Sequence, residues 1–253
     1  MAEIKALFFD MDGVIIDTEK DGHRVAFNQT FQEFGFDFQW SIDHYHELLQ
    51  ISGGKERMRH DFQQRSIPDV RPEPLDELII KLHKRKTEIF ISLIESGKLP
   101  LRPGIHRFMT EAMEKGIRLG VCTTANERSA AAVTRGVLSN IRFDFVLAGD
   151  MVKKKKPDPE IYLTALSKSG LPKDACLVVE DSMNGVAAAK SAGLAVIATT
   201  NQYTEKEDLS AADIIVSCLG DPDGEKALVK KADRKPLTND VITIADLLDY
   251  FKD

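Results

Sequence analysis

The sequence predicts an α/β protein with a Rossmann-like parallel-sheet core and an inserted α-helical domain. Two observations carry this prediction. Short apolar runs alternate with helical patterns through residues 101–216, which is the order of elements in parallel βαβ units. Residues 17–100 break that alternation, because they keep helical periodicity and contain no pattern typical of a buried strand.

Six apolar runs are predicted to be core strands, since each is short and is bounded by polar residues or glycine. They are residues 4–9, 117–122, 145–147, 176–179, 194–197 and 214–216. Helices are predicted over 126–138, 158–168 and 183–192. Asn126 is expected to cap the first of them, and the second is expected to follow Pro157.

The helical insert has its own apolar pattern. Apolar residues from Leu75 to Ile94 keep helical spacing over about five turns, and Gly97 is expected to end this helix. We therefore predict a core domain of residues 1–16 and 101–253 and a helical cap of residues 17–100. Both connections lie beside the loop after the first strand, so the cap is expected to close over the strand ends.

Composition and charge exclude several classes of protein. The 34 basic and 40 acidic side chains give a net charge of −6, whereas a general nucleic-acid surface is basic. No apolar run approaches the ~18 to 20 residues of a membrane span, and no targeting segment is recognisable. Three isolated cysteines argue against a disulfide framework or a zinc site. We expect a soluble monomer of a reducing compartment, without nucleic-acid or membrane partners.

Polar residues cluster where the predicted strands end, and open α/β sheets bind ligands at that edge. The first cluster contains Asp10 and Asp12, two carboxylates that can face one site, followed by a glycine that permits a tight turn. The second contains Thr123, Thr124 and Asn126, whose hydroxyl and backbone N–H groups can hold phosphate oxygens. The first cluster taken alone is equally compatible with an ordinary turn or helix cap, and the second taken alone is more typical of a plain helix cap.

Two further clusters follow later strands. Lys156 ends a run of four lysines, and Pro157 gives its side chain a defined direction, whereas the other three lysines are expected to face solvent. Glu180 and Asp181 directly follow the strand at 176–179. Together the four clusters bring carboxylates, a lysine and a hydroxyl to the ends of different strands, a set suited to Mg²⁺ and a phosphate.

The carboxylates themselves require a cation. Two like charges about 4 Å apart repel by ~4 kcal/mol at an effective dielectric constant near ~20, so Asp10, Asp12 and Asp181 need a cation to stay ionised. A carboxylate aimed at phosphorus can act as a nucleophile and form an acyl phosphate. A second carboxylate must then protonate the leaving oxygen and later deprotonate water. Asp10 and Asp12 fit these two roles.

These residues resemble the four ordered motifs of the haloacid dehalogenase superfamily. The motifs lie at residues 9–14 with 17–19, at Thr123, at residues 156–157 and at residues 180–182. The resemblance implies a phosphatase with Asp10 as the nucleophile and Asp12 as the general acid and base. It places Thr123 and Lys156 on the transferring phosphate.

The same resemblance implies the ligands of the metal. Mg²⁺ would be bound by Asp10, by the main-chain carbonyl of Asp12 and by Asp181. Glu180 would contact the metal directly or through water.

Three stretches of the predicted cap resemble the CbbY-type sugar-bisphosphate phosphatases of photosynthetic organisms. They are residues 21–28, 53–58 and 82–88. The implied substrate is xylulose-1,5-bisphosphate, which would be dephosphorylated to xylulose 5-phosphate. The plastid stroma or the cytoplasm is the expected compartment.

A bisphosphate has a second phosphate, and basic residues of the cap are predicted to bind it. Lys55 and Arg57 follow two glycines and a helix start, where N–H groups favour an anion, and His23 and Arg24 lie on the first cap helix. The full set of predicted substrate contacts is Glu19, His23, Lys55, Arg57, Thr124 and Asn126. The alternative is that the basic residues are solvated surface charges beside an ordinary glycine turn.

Two other functions remain open at this point. A phosphomutase of the β-phosphoglucomutase kind resembles the sequence in the same core motifs and would return the phosphoryl group to a sugar. A phosphoacceptor or binding module would be phosphorylated on Asp10 as a signal, which leaves Asp12 and the cap without a role. A dehalogenase is disfavoured, because that branch lacks the second acid.

Overall fold

The computed structural model describes residues 3–49, 51, 53–67, 73–97 and 99–252. The chain forms two compact units, of which one comprises Met1–Asp17 with Pro100–Asp253 and the other Thr18–Leu99. We call them the sheet unit and the helical unit. The divisions fall after residues 17 and 99, whereas the sequence placed them after residues 16 and 100.

In the described residues of the helical unit, a π-helical turn, Thr18–His23, precedes four α-helices with defined bounds. They are α1 (Arg24–Glu33), α2 (Ile42–Leu48), α3 (Gly54–Gln64) and α4 (Leu75–Glu95). The predicted long helix is confirmed as α4, and Gly97 follows it with a left-handed φ of 65°. Among the described residues, no helix is long and apolar enough to cross a membrane.

An aromatic cluster forms the core of the helical unit. The ring of Phe31 packs against Trp40 and Phe62, with centroids 4.9 Å and 5.7 Å away. The buried carboxylate of Asp61 anchors this cluster, because it accepts hydrogen bonds from Trp40 Nε1 and Arg65 Nε, both at 2.7 Å. These hydrogen bonds satisfy the buried carboxylate and connect Trp40 to α3.

The sheet unit is built on seven strands in the order β3-β2-β1-β4-β5-β6-β7. The strands are β1 (Ala6–Phe9), β2 (Arg118–Cys122), β3 (Phe145–Leu147), β4 (Cys176–Glu180), β5 (Ala195–Thr199), β6 (Ile214–Val216) and β7 (Val229–Ala232). All six predicted strands are present, and β1 to β6 pair only in parallel with one another. Every residue of β1, β4 and β5 is buried, which explains their unbroken apolar sequences.

The seventh strand was not predicted from the sequence. β7 pairs with β6 in the antiparallel direction and lies at the edge of the sheet. Its central residues, Lys230 and Lys231, are at least partly exposed. Lysines on an edge strand discourage pairing with another chain. They also interrupt the apolar run by which the other strands were predicted.

Five α-helices complete the described part of the sheet unit. They are α5 (Ile105–Glu114), α6 (Glu127–Ala132, continued by a π-helical turn over Val133–Val137), α7 (Glu160–Ser169), α8 (Met183–Ser191) and α9 (Ile244–Tyr250). Asn126 caps α6 as predicted, since its Oδ1 accepts a hydrogen bond from Ser129 N at 2.9 Å. The helix predicted over 158–168 begins two residues later, at Glu160, because Asp158 Oδ1 accepts a hydrogen bond from Glu160 N and closes a turn before α7.

Candidate active site

The register of the sheet brings the ends of three strands to one edge. Phe9, the last residue of β1, lies opposite Val121 of β2 and Val179 of β4. Asp10 follows Phe9, and its N–H donates to the carbonyl oxygen of Val179 at 2.9 Å. Residues that follow β1, β2 and β4 are therefore neighbours, as expected for a parallel sheet.

Three buried carboxylates converge at this edge. Asp10, Glu180 and Asp181 each offer an oxygen, and these oxygens all lie within 4.8 Å of one another. The exposed fractions are 7% for Asp10, 6% for Asp181 and 0% for Glu180. A donor set made only of carboxylate oxygens suits a hard cation such as Mg²⁺.

Lys156 joins these carboxylates. Its Nζ donates to Asp10 Oδ1 at 2.5 Å, to Glu180 Oε1 at 2.6 Å and to the carbonyl oxygen of Cys122 at 2.9 Å. The other three lysines of the run are exposed, as predicted. Glu160 holds this loop, because its carboxylate accepts from the backbone N–H groups of Lys153 and Lys154, each at 2.9 Å.

The carboxyl groups of this cluster are difficult to ionise together. Burial, together with Glu180 and Asp12, raises the pKa of Asp10 from 3.8 to about 8, although Lys156 opposes the shift. Burial and the same acidic surroundings raise the pKa of Asp181 well above its ordinary value. If all three carboxylates were ionised, they would exceed the charge of the Lys156 ammonium by two, which one divalent cation would balance.

The ammonium of Lys156 keeps its charge in this setting. Burial acts to lower the pKa of Lys156, but the carboxylates of Asp10 and Glu180 outweigh it and raise that pKa. The lysine is therefore a permanent cation beside Asp10.

Asp12 and Thr123 contact each other beside the carboxylate cluster. Thr123 Oγ1 donates to Asp12 Oδ2 at 3.4 Å and accepts from the N–H of Ala125 at 3.0 Å. Asp12 is partly exposed, whereas Thr123 is buried. The structure thus brings four of the predicted core residues, Asp10, Asp12, Thr123 and Lys156, to the same strand ends.

Gly13 is required by its conformation and by its neighbour. Its φ is 87°, in the left-handed region that favours glycine. A Cβ at this position would lie 2.1 Å from Oδ2 of Asp181. The carboxylate of Asp181 therefore packs directly against the main chain of the first loop.

Thr124 and Asn126, predicted to contact substrate, lie exposed at the start of α6. Glu19 and Arg57, predicted contacts in the helical unit, are joined through Tyr45. The hydroxyl of Tyr45 donates to Glu19 Oε2 at 2.5 Å and accepts from an Nη of Arg57 at 3.2 Å. Lys55 is exposed on α3, and Arg24 donates to the carbonyl oxygen of Trp40 at 3.3 Å.

His23 differs from the cationic contact that the sequence suggested. Its Nδ1 lies 2.8 Å from Nζ of Lys86, a lysine that is 7% exposed. Burial, followed by the positive charges of Lys86 and Arg57, lowers the pKa of His23 well below 6.5. His23 is consequently neutral, and Lys86 is the cation at this point of the helical unit.

The sequence did not identify two polar side chains of the sheet-unit site. Tyr162 on α7 donates its hydroxyl to Glu180 Oε1 at 2.6 Å. Asn201 donates from Nδ2 to Asp181 Oδ2 at 2.7 Å. Asn201 lies two residues after β5, so the strand-end rule that identified the other clusters would have found it. No local pattern singles out Tyr162.

Comparison with known proteins adds to this geometry. A family model described as haloacid dehalogenase-like hydrolase matches residues 4–193. The CBBY-like protein of Arabidopsis thaliana is 46% identical over 226 residues, which cover 87% of this chain and 71% of the relative. A protein of Thermotoga maritima named phosphorylated carbohydrates phosphatase is 30% identical over 191 residues, which cover 76% of this chain and 82% of the relative.

A solved structure has the same fold. It is a mutant of CbbY from Rhodobacter sphaeroides in complex with xylulose-1,5-bisphosphate. The TM-score is 0.70 and the identity 39%, over 85% of this chain and 94% of that chain. This similarity confirms the predicted fold class.

Proposed function

The chain belongs to the haloacid dehalogenase-like hydrolase family and is a phosphatase, and we propose that it hydrolyses a sugar bisphosphate with Mg²⁺ through a phosphoryl group held on Asp10. The proposed substrate is xylulose-1,5-bisphosphate, and the products are xylulose 5-phosphate and inorganic phosphate. The observation that carries the proposal is the Asp10 carboxylate, which Lys156 holds beside Glu180 and Asp181. The bisphosphate bound to the Rhodobacter sphaeroides protein supports the choice of substrate.

The residues at the strand ends fit a Mg²⁺ ion. Asp10, Asp181 and the main-chain carbonyl of Asp12 would hold it. Both oxygens of Glu180 already accept hydrogen bonds, from Lys156 and Tyr162 on one side and from the N–H of Asp181 on the other, which favours a contact through water. When bound, Mg²⁺ would supply positive charge that keeps the carboxylates ionised and neutralises phosphate oxygens.

The proposed reaction has two displacements at phosphorus. In the first, a carboxylate oxygen of Asp10 forms a bond to phosphorus while the bond to the sugar oxygen breaks, and Asp12 gives that oxygen a proton. In the second, Asp12 takes a proton from water, the water oxygen bonds to phosphorus, and the Asp10 carboxylate leaves. Inorganic phosphate is released and both aspartates return to their starting states.

Lys156 and Thr123 serve the transferring phosphate in this proposal. The ammonium of Lys156 already orients Asp10, and it would attract the phosphate oxygens as they gain negative charge. The hydroxyl of Thr123 would exchange its long hydrogen bond to Asp12 for one to phosphate. Neither role requires either residue to give up a proton.

The helical unit would act as the cap that binds the second phosphate. Lys55 and Arg57 supply positive charge, and the planar guanidinium suits a phosphate. Glu19, His23, Thr124 and Asn126 remain proposed contacts to the sugar or its phosphates. A monomer, in the plastid stroma or the cytoplasm, remains the expected form of the protein.

A phosphate-release screen tests this function. The full chain is incubated with sugar monophosphates and bisphosphates, with Mg²⁺ or with a chelator, and inorganic phosphate is measured. We expect many turnovers per chain on a bisphosphate, with Mg²⁺ only. A single phosphate per chain would indicate a phosphoacceptor, and activity restricted to monophosphates would reject the proposed substrate.

A further inference from the structure

We propose that Asn201 is a positioning residue of the metal site, which holds one oxygen of Asp181 and thereby directs the other toward Mg²⁺. The inference rests on the proposed function, because it takes Asp181 to be a Mg²⁺ ligand. Asn201 comes from the loop after β5, whereas the predicted motifs follow β1, β2 and β4 or lie in the loop before α7.

The orientation of the Asn201 amide is fixed by its own loop. Its Oδ1 accepts hydrogen bonds from the N–H groups of Tyr203 at 2.9 Å and Thr204 at 3.1 Å. A flipped amide would lose both bonds and would turn its oxygen toward a carboxylate. The donor Nδ2 therefore faces Asp181, at 2.7 Å from Oδ2.

The loop that carries Asn201 is itself held in place. The buried Arg102 donates to the carbonyl oxygens of Thr200 at 2.7 Å and Ser217 at 2.9 Å. The N–H of Thr200 donates to the carbonyl oxygen of Val216 in β6 at 2.8 Å. These bonds fix Thr200, the residue before Asn201, so the backbone that carries the amide is held in place.

The two oxygens of Asp181 consequently differ. Oδ2 is occupied by Asn201 and lies against the main chain of Gly13, where a Cβ would come within 2.1 Å of it. No donor to Oδ1 is found in the described parts of the chain. Partners of this kind, which orient a metal ligand without touching the metal, typically change metal affinity by about 10- to 100-fold.

The variant Asn201→Ser tests the role of the amide. Serine keeps an acceptor for the turn and stays neutral, but its hydroxyl stops short of Asp181. The matched control is Thr204→Val, which removes the hydroxyl that accepts from the N–H of Asn201 at 3.2 Å and leaves the amide in place. Mg²⁺ is titrated into each full-length protein by calorimetry, and phosphate release is measured against Mg²⁺ concentration.

We expect Asn201→Ser to weaken Mg²⁺ binding by about 10-fold or more, with kcat largely recovered at saturating Mg²⁺. Thr204→Val should bind Mg²⁺ within about 2-fold of wild type. Unchanged affinity in Asn201→Ser, or equal weakening in both variants, would overturn the inference and leave the proposed function standing. A wild-type protein that binds no Mg²⁺ would overturn both. Asn201→Thr, which also keeps a hydroxyl, replaces the serine variant if that one fails to fold.

Discussion

The ammonium nitrogen of Lys156 lies 2.5 Å from Oδ1 of Asp10, although the two residues are 146 positions apart in the chain. This contact orients Asp10, but it does not remove the excess negative charge, because the pKa of Asp10 is still raised to about 8. A carboxyl group with a pKa of about 8 is mostly protonated near neutral pH, so Lys156 by itself does not keep Asp10 ionised. The proposed nucleophile needs a second cation, and this requirement connects the geometry of the site to its metal.

Asp10→Asn should remove measurable turnover and leave the fold intact. The amide cannot form the acyl phosphate, while its size matches the space at the end of β1. Phosphate release and the thermal unfolding temperature check the two parts of this statement. Activity above about 1% of wild type would reject Asp10 as the nucleophile.

Asp12→Asn should slow the reaction by ~10² to 10⁴-fold, because neither the leaving oxygen nor the attacking water has its proton partner. The two half-reactions can be separated with p-nitrophenyl phosphate, whose leaving group needs no proton. On that substrate a rapid-quench experiment should show a fast burst of p-nitrophenolate followed by slow hydrolysis. Normal turnover on a sugar phosphate would contradict the assignment of Asp12.

Removal of Mg²⁺ by a chelator should abolish activity, and Ca²⁺ should not restore it. Ca²⁺ is larger and takes 6 to 8 flexibly placed ligands, so it misplaces the oxygen that attacks phosphorus. Phosphate release after re-addition of each ion is the measurement. Full activity with Ca²⁺ would mean that catalysis does not require octahedral coordination of the metal ion.

Lys55→Ala should lower kcat/KM for a sugar bisphosphate by at least ~10-fold, the loss of roughly 1.4 kcal/mol, and should barely alter hydrolysis of acetyl phosphate. The binding energy of the remote phosphate would be used in orienting the reacting one. The matched control is Arg59→Ala on the same helix, because Arg59 is paired with Asp76 at 2.6 Å.

The effects of Lys55→Ala on the two substrates distinguish a lost phosphate contact from general damage. Equal losses on the bisphosphate and on acetyl phosphate would point to damage of the fold. No loss on either would leave Lys55 as a surface charge.

Asp61→Asn should destabilise the protein by about 1 to 3 kcal/mol, since it weakens charge-assisted hydrogen bonds to a buried group. Burial acts to raise the pKa of Asp61, but hydrogen bonds from Arg65, Trp40 and His44 outweigh it and lower that pKa below 3.8. Its contribution to stability is therefore complete above about pH 4 and is lost as the pH falls further.

Chemical denaturation across pH 2 to 7 checks this prediction, at values taken about one unit apart. The difference in unfolding free energy between wild type and Asp61→Asn should shrink below about pH 4. A difference that stays constant with pH would mean that the charge of Asp61 is not what stabilises the aromatic cluster.

Most of the residues at the strand ends could be predicted from the sequence, because a parallel sheet places the carboxyl ends of its strands at one edge. Asp10, Thr123 and Asp181 are close together for that reason alone. In the run of four lysines, only the proline that follows distinguishes Lys156 from the other three. Its three hydrogen-bond partners come from other segments and could not be named in advance.

The charge of His23 illustrates what local sequence cannot give. Its pKa depends on burial and on Lys86, which lies 63 positions later on the apolar face of α4. In the sequence, Lys86 only interrupts the apolar pattern of the helix. Its contact with His23 is known from the fold. β7 was missed for a related reason, since an edge strand is held by its pairing and not by burial.

The product of the reaction tests the proposed phosphatase activity most directly. Xylulose-1,5-bisphosphate is incubated with the full-length protein and Mg²⁺, and the phosphorus species are followed by ³¹P NMR. Hydrolysis through Asp10 should give inorganic phosphate and xylulose 5-phosphate in equal amounts, over many turnovers per chain. A rearranged sugar phosphate without free phosphate would identify a mutase and contradict hydrolysis through Asp10.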